Sequence, residues 1–331
     1  MADLTTTYMG LELKNPLIVG SSELTNKASK IKKLEDAGAA AVVLKSLFEE
    51  QIMMEVDAQR VNNMYGSFND VENYVSFYTR KHDLDEYLNL IRETREKVDI
   101  PVIASINCIS ASEWVDFARQ IEKAGAHALE LNMFIMPNDP RFEGEAIEKI
   151  YFDVVKQIEG AINIPVALKL GTYFSGMAKT LIDLSKTSIS AMVLFNRFYS
   201  PDVDLEKEEI KASHIFSHPQ DVSNTLRWIG ILANQVDCDL SASTGVHDGH
   251  TALKNLLVGA TVTYVVSALY KNGRDHLQPM LEEMESWMEK KGYQSLQDFR
   301  GKLSQNHISQ PMIYERVQFM KYHSNYKDAS Y

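Results

Sequence analysis

Short, continuous apolar runs alternate with amphipathic stretches along nearly the whole chain. The runs are PLIVGSS from Pro16, AAAVVLKSL from Ala39, PVIASIN from Pro101, ALELNM from Ala128, PVALKLG from Pro165, AMVLFNRF from Ala191, DLSASTG from Asp239 and TVTYVVSAL from Thr261. Each is too continuously apolar for a strand with one face in water, so the pattern predicts a parallel sheet covered on both sides. Between the runs, NKASKIKKLEDAG, SASEWVDFARQIEKAG and HDGHTALKNLLVG space apolar residues by three and four and finish on glycine, which predicts helices. AGAAAVVL from Ala37, AGAHALEL from Ala124 and VGATVTYV from Val258 form a weak internal repeat, each setting a small-residue turn before a strand. Eight strand–helix units close naturally into one (β/α)8 TIM barrel over residues 1–331. An open doubly wound sheet is the alternative that the same pattern allows.

Two connections exceed what a barrel needs, Phe48 to about His82 and Tyr199 to about Pro219. Both follow strands, so both are expected as long loops at the C-terminal face, where barrels build their sites. In the tail from His276, the Met and Trp stripe of MLEEMESWMEKKG predicts core or subunit contact rather than a cofactor box.

Composition narrows the function. Apolar residues make up 45% and charged residues 24% of the 331, enough for a large core. The 34 Lys and Arg against 45 Asp and Glu give a net charge of −11, with no basic stripe, which argues against nucleic acid or an anionic membrane as partner. Cys108 and Cys238 are the two cysteines, so neither a disulfide framework nor a zinc site is indicated. The opening MADLTTTYMGLELKNPLIVG lacks the features of a signal peptide, and no apolar stretch reaches the ~18 residues of a membrane span. A cytoplasmic protein acting on a small molecule, with no metal, is expected.

Side chains at the C-terminal ends of barrel strands face the mouth, so polar residues that break an apolar run there are informative. They include Ser21, Lys45, Ser46, Ser105, Asn107, Asn132, Lys169, Asn196, Arg197, Ser243, Thr244 and Ser267. Lys45 in VVLKSL and Lys169 in VALKL have hydrophobic neighbours on both sides. A buried ammonium needs a partner. One reading is an ion pair with a barrel carboxylate such as Glu130; the other is a cation beside a cofactor that gains negative charge on reduction, as a flavin does at its N1/O2 edge. SASTGVHDG, running from a strand end into a helix start, is a candidate anion site.

These segments together resemble the dihydroorotate dehydrogenases over almost the whole chain. GLELKNPLIVGSS matches the family's opening motif, and VVLKS, ELN, VALKL, LFN and STGVHDG with GATVTYVVSAL follow in the family's order. The resemblance implies a soluble, FMN-dependent enzyme and, by analogy, a homodimer. Gly20 and Ser21 would lie along the flavin with Ser105 and Asn107 nearby; Lys45 would reach flavin and substrate, and Lys169 would stabilise the reduced pyrimidine edge. Thr244, Gly245 and Ser267 would cradle the FMN phosphate. Asn132 and Asn196 would bind the substrate ring, with Asn69 from the first long loop and Arg197 beside them.

The sequence also departs from the family. Members remove a proton from carbon five of dihydroorotate with a Cys or Ser after the ELN strand, while carbon six passes hydride to flavin N5. Here that loop reads MFIMPNDPRFEGE and contains no Cys, Ser or Thr. The step from Asn132 to Pro137 is one residue longer than the family pattern, so the base position falls at Ile135 or Met136. Cys108, Tyr65, Tyr78 and Tyr173 are alternative acceptors, each read first as a packing residue. Arg197 replaces a small hydroxyl residue and Thr244 a glycine. Three readings follow: a dihydroorotate dehydrogenase, a flavin oxidoreductase of the same fold on another anionic substrate, and a non-catalytic ligand-binding barrel. The electron acceptor is left open.

Overall fold

The computed structural model describes residues 2–48, 84–107, 113–197, 200–213 and 215–315. The eight apolar runs form eight parallel strands: β1 Leu17–Val19, β2 Ala41–Val43, β3 Val102–Asn107, β4 Ala128–Met133, β5 Val166–Leu170, β6 Ala191–Leu194, β7 Asp239–Ala242 and β8 Val262–Val265. Each pairs with the next, and β8 pairs with β1 through Thr263 opposite Leu17, so the sheet closes on itself. Closure settles the barrel against the open sheet. Leu47–Phe48 extends β2 after a break and pairs with the end of β3.

Helices follow the strands: α1 Ala28–Asp36, α2 at residues 84–97, α3 Glu113–Lys123, α4 Gly144–Ile158, α5 Met177–Ser185, α6 Val222–Leu232, α7 Gly249–Val258 and the short α8 Ser267–Asn272. Alternate strand residues point outward, among them Val19, Val42, Leu131 and Leu170, and pack against the apolar stripes of the helices in one continuous core. The tail helix, α9 Leu277–Lys291, buries Met280, Met284 and Met288 in that core. At about 1.5–3 kcal/mol for each fully buried side chain, this stripe is a structural seam.

The other strand face points into the barrel, where Ala41, Ala128, Ala167 and Ala191 leave a narrow lumen. An N-terminal hairpin, Thr6–Tyr8 paired with Leu11–Leu13, fills it from below. Tyr8 is fully buried with its hydroxyl 3.5 Å from that of Tyr264, and the Met9 N–H donates to Asp239 at 2.7 Å. The barrel is therefore plugged at one end.

The connection after β6 differs from the expected loop. It carries a second hairpin, Ser200–Asp204 paired with Glu209–Ser213, which stands out from the barrel with most residues exposed. Its strands alternate polar and apolar residues, so Pro201, Val203, Ile210 and Ala212 share one exposed face, and neither strand makes the continuous apolar run that marks the barrel strands. The first long loop lies outside the described residues, and with it the expectations for Asn69, Tyr65 and Tyr78; Cys108 also lies outside. Among the described residues no helix is long and apolar enough to cross a membrane.

Candidate functional site

A cavity of about 360 Å³ opens at the C-terminal ends of the strands, within the size range of small-molecule sites. Eight expected residues line it: Ser21, Lys169, Asn196, Arg197, Ser243, Thr244, Gly245 and Ser267. Asn132 joins them through Asn196, whose Nδ2 donates to Asn132 Oδ1 at 2.7 Å. Gly20 sits directly behind Ser21, where a side chain would meet Val266 Cγ2 at 2.9 Å, so glycine is needed for β1 to pack on β8.

Lys45 is not the buried lysine that its apolar flanks suggest. Its side chain is 38% exposed and pairs with Glu23 on the turn after β1, not with a barrel carboxylate. Lys45 sits in a short break in the wall, between Leu44, whose N–H donates to Ile103 O, and Leu47–Phe48, which rejoins β3. Neither Lys45 nor Asn107 lines the cavity. Ser105 lies beneath it, fully buried.

Lys169 pairs with the barrel carboxylate Glu130, and it also lines the cavity. Its side chain is 12% exposed at the cavity and its Nζ lies 3.9 Å from Glu130 Oε1. Glu130 is fully buried, and burial raises its carboxyl above the ordinary range despite Lys169. Above it runs a line of hydroxyls: Ser105 Oγ at 3.5 Å from Glu130, Ser46 Oγ at 2.7 Å from Ser105, and Ser21 Oγ at 3.0 Å from Ser46.

The wall after β7 turns through two left-handed residues, Thr244 at φ +78° and Gly245 at φ +80°. A threonine there costs about 1–3 kcal/mol. Its Oγ1 donates to Phe195 O at 3.2 Å, which offsets part of that cost. Among the described residues no hydrogen bond engages the N–H of Thr244, Gly245 or Val246, so three peptide donors border the cavity. This turn suits an anionic oxygen cluster. Glycine at 245 is dictated twice, by its φ and by Val222 N, which would sit 2.3 Å from an added Cβ. Gly245→Ala is expected to lower stability by about 2–4 kcal/mol in denaturant titration, and to weaken anion binding at the turn.

Arg197 braces the opposite wall. Its Nη1 donates to Ile215 O at 2.6 Å and its Nε lies 3.8 Å from Asp221 at the start of α6, leaving the remaining guanidinium donors beside the cavity. The base of the outer hairpin is pinned further at Ser217, whose Oγ bonds His247 Nε2 at 3.0 Å and whose N–H donates to Ser267 Oγ at 3.0 Å. Burial and then the nearby Lys271 ammonium lower the His247 imidazole, favouring its neutral form.

Sequence reading missed Ser217, His247 and Tyr264. Tyr264 lines the cavity from β8, and two-residue alternation with Val262 was the signal that it points inward. The loop after β4 has Met136 at 44% exposure, while Ile135 packs on the core and its backbone bonds Tyr151. Tyr173, a candidate acceptor, is 43% exposed with its ring 6.4 Å from that of Phe134 on this loop, and does not line the cavity.

Comparison with known proteins agrees in direction. The family model for dihydroorotate dehydrogenase matches residues 3–288. The chain is 23% identical over 318 residues to the catalytic subunit of dihydroorotate dehydrogenase B (NAD(+)) of Thermoplasma volcanium, covering 91% of this chain and 98% of that protein. It is 26% identical over 319 residues to dihydroorotate dehydrogenase A (fumarate) of Lactococcus lactis subsp. lactis, covering 91% and 99%.

Proposed function

The chain belongs to the dihydroorotate dehydrogenase family, and from that premise we propose that it is an FMN-dependent oxidoreductase taking hydride from a substrate CH–CH bond, with dihydroorotate oxidation as the family-level reaction. The observation that carries this reading is the convergence of Lys169, the asparagine pair and the three unpaired peptide N–H groups on one cavity.

The residues present fit the cofactor. The Thr244–Val246 turn, bare of side chain at Gly245, would hold the phosphate with Ser267; Ser21 would lie along the ring system and Lys169 would face its pyrimidine edge. Bound FMN supplies the hydride acceptor at N5. Asn132 and Asn196 hold each other by one hydrogen bond and keep donor and acceptor groups for a substrate ring. Arg197 brings positive charge to the same side and favours a carboxylate. Lys169 stabilises negative charge as hydride arrives, an interaction strengthened by its low exposure.

Proton removal is where this chain leaves the family pattern. Ile135 and Met136 carry no acceptor, which favours a second reading in which the substrate is a different anion. Anaerobic mixing of the purified yellow protein with dihydroorotate separates the two. Rapid bleaching of the flavin absorbance, with turnover on fumarate or NAD+, supports dihydroorotate. A yellow protein that does not bleach favours another anionic substrate, and a colourless protein that fails to take up FMN overturns the flavin reading and leaves a ligand-binding barrel.

A further inference from the structure

We propose that Glu130 is a redox-linked proton acceptor in the barrel floor: when negative charge on a flavin in the cavity claims the Lys169 ammonium, the Glu130 carboxylate takes up one proton, delivered from the mouth through Ser21, Ser46 and Ser105. The inference rests on the flavin reading given above.

Geometry carries it. Glu130 is fully enclosed, its Oε2 has no hydrogen-bond partner, and its Oε1 has Ser105 Oγ at 3.5 Å and Lys169 Nζ at 3.9 Å. The Tyr264 hydroxyl approaches the carboxylate from β8 without closing a bond to Oε2. Among the described residues the groups acting on Glu130 are Lys169 from β5, Ser105 from β3, Tyr264 from β8, Tyr8 from the plug and Tyr87 from α2. Lys169 is the one charge among them. The same ammonium lines the cavity, so one cation serves two claimants, a carboxylate below and whatever anion lies above. At 3.9 Å its tie to Glu130 is too long for a hydrogen bond and easily surrendered. A buried carboxylate that loses its counter-ion cannot stay charged at low cost, and it neutralises instead.

The proton has a route. The plug closes the lower end, and three hydroxyls, each within 3.5 Å of the next polar atom, connect the cavity lining at Ser21 to Glu130. Each hydroxyl accepts one proton as it releases its own. Charge balances: the substrate's hydride brings two electrons and a proton to the flavin and leaves one negative charge, and a solvent proton becomes the O–H of Glu130. Reoxidation reverses both steps.

The test uses the FMN-loaded full chain and the near-isosteric variant Glu130→Gln. Midpoint potentials are measured by spectroelectrochemistry from mildly acid to mildly alkaline pH. The wild type is expected to show, over part of that range, a slope steeper by one proton per electron pair, a further tenfold in the reduction equilibrium per pH unit, or about 30 mV. Equal slopes in the two proteins overturn the inference. The reduced-minus-oxidised infrared difference spectrum of the wild type gives a second measurement that needs no variant: a protonated-carboxyl band appears on reduction, and its absence also overturns the inference. Failure to take up FMN overturns the flavin reading and this inference with it; flavin bound with equal slopes overturns this inference alone.

Discussion

Met136→Cys is expected to accelerate dihydroorotate oxidation by about 10²-fold or more, read as the rate of anaerobic flavin bleaching. A positioned general base contributes that much, and the loop after β4 has no Cys, Ser or Thr to serve as one. Of the two positions between Asn132 and Pro137 where a base belongs, Met136 is the one open to solvent, though neither lines the cavity. Ile135 faces the core and its backbone is held by Tyr151, so Ile135→Cys is expected to give no comparable gain and to lose about 1 kcal/mol of stability. If neither cysteine raises the rate in protein with flavin bound, the loop is not the missing element, and the native substrate does not need a base there.

Lys169→Met works in the opposite direction and has two readouts. Hydride transfer is expected to fall by about 10²–10³-fold in stopped-flow measurements, the usual loss when one preorganised charge-stabilising group is removed. Stability is expected to fall by about 3–5 kcal/mol at alkaline pH, because Glu130 is left as a buried charge without a partner. The loss shrinks as pH falls. Glu130 has its carboxyl raised above the unfolded value, so the folded protein holds a proton that the unfolded chain has released. That contribution is complete below the ordinary carboxylate range and disappears as pH rises through the folded value. Without Lys169 the folded value climbs further, and the stability gap to wild type widens with pH. Denaturant titrations at acid and alkaline pH measure it, and a gap independent of pH would mean that Glu130 does not titrate.

Much of the barrel was legible because burial on both faces leaves a pattern that polar sequence cannot imitate. All eight runs contain their strands, although all but ALELNM are longer than the strand they hold: PLIVGSS holds three strand residues, and AAAVVLKSL breaks after Val43. The break explains why Lys45 is not buried: its flanks Leu44 and Leu47 stay against β3 while its own side chain turns out to Glu23. The outer hairpin was missed for a different reason: its strands alternate polar and apolar residues instead of running continuously apolar, and the apolar face of Val203 and Ile210 is left in water. The plug was hidden because Tyr8 and Met9 sit in a short polar-looking stretch, and what makes them core residues is the alanine layer contributed by strands far along the chain. At the site, Lys169, Asn196, Thr244, Gly245 and Ser267 could be placed from strand ends alone. Ser217 and His247 could not, because their meeting depends on where a long connection returns.

The plugged floor also sets how hydrogen isotopes enter the barrel. With Tyr8 stoppering one end, deuterium reaches the hydroxyls of Ser105 and Ser46 by way of the cavity. A ligand seated there acts as a cork in a one-necked flask, so protection of the inner strand amides should rise when the cavity fills, with no change in the fold.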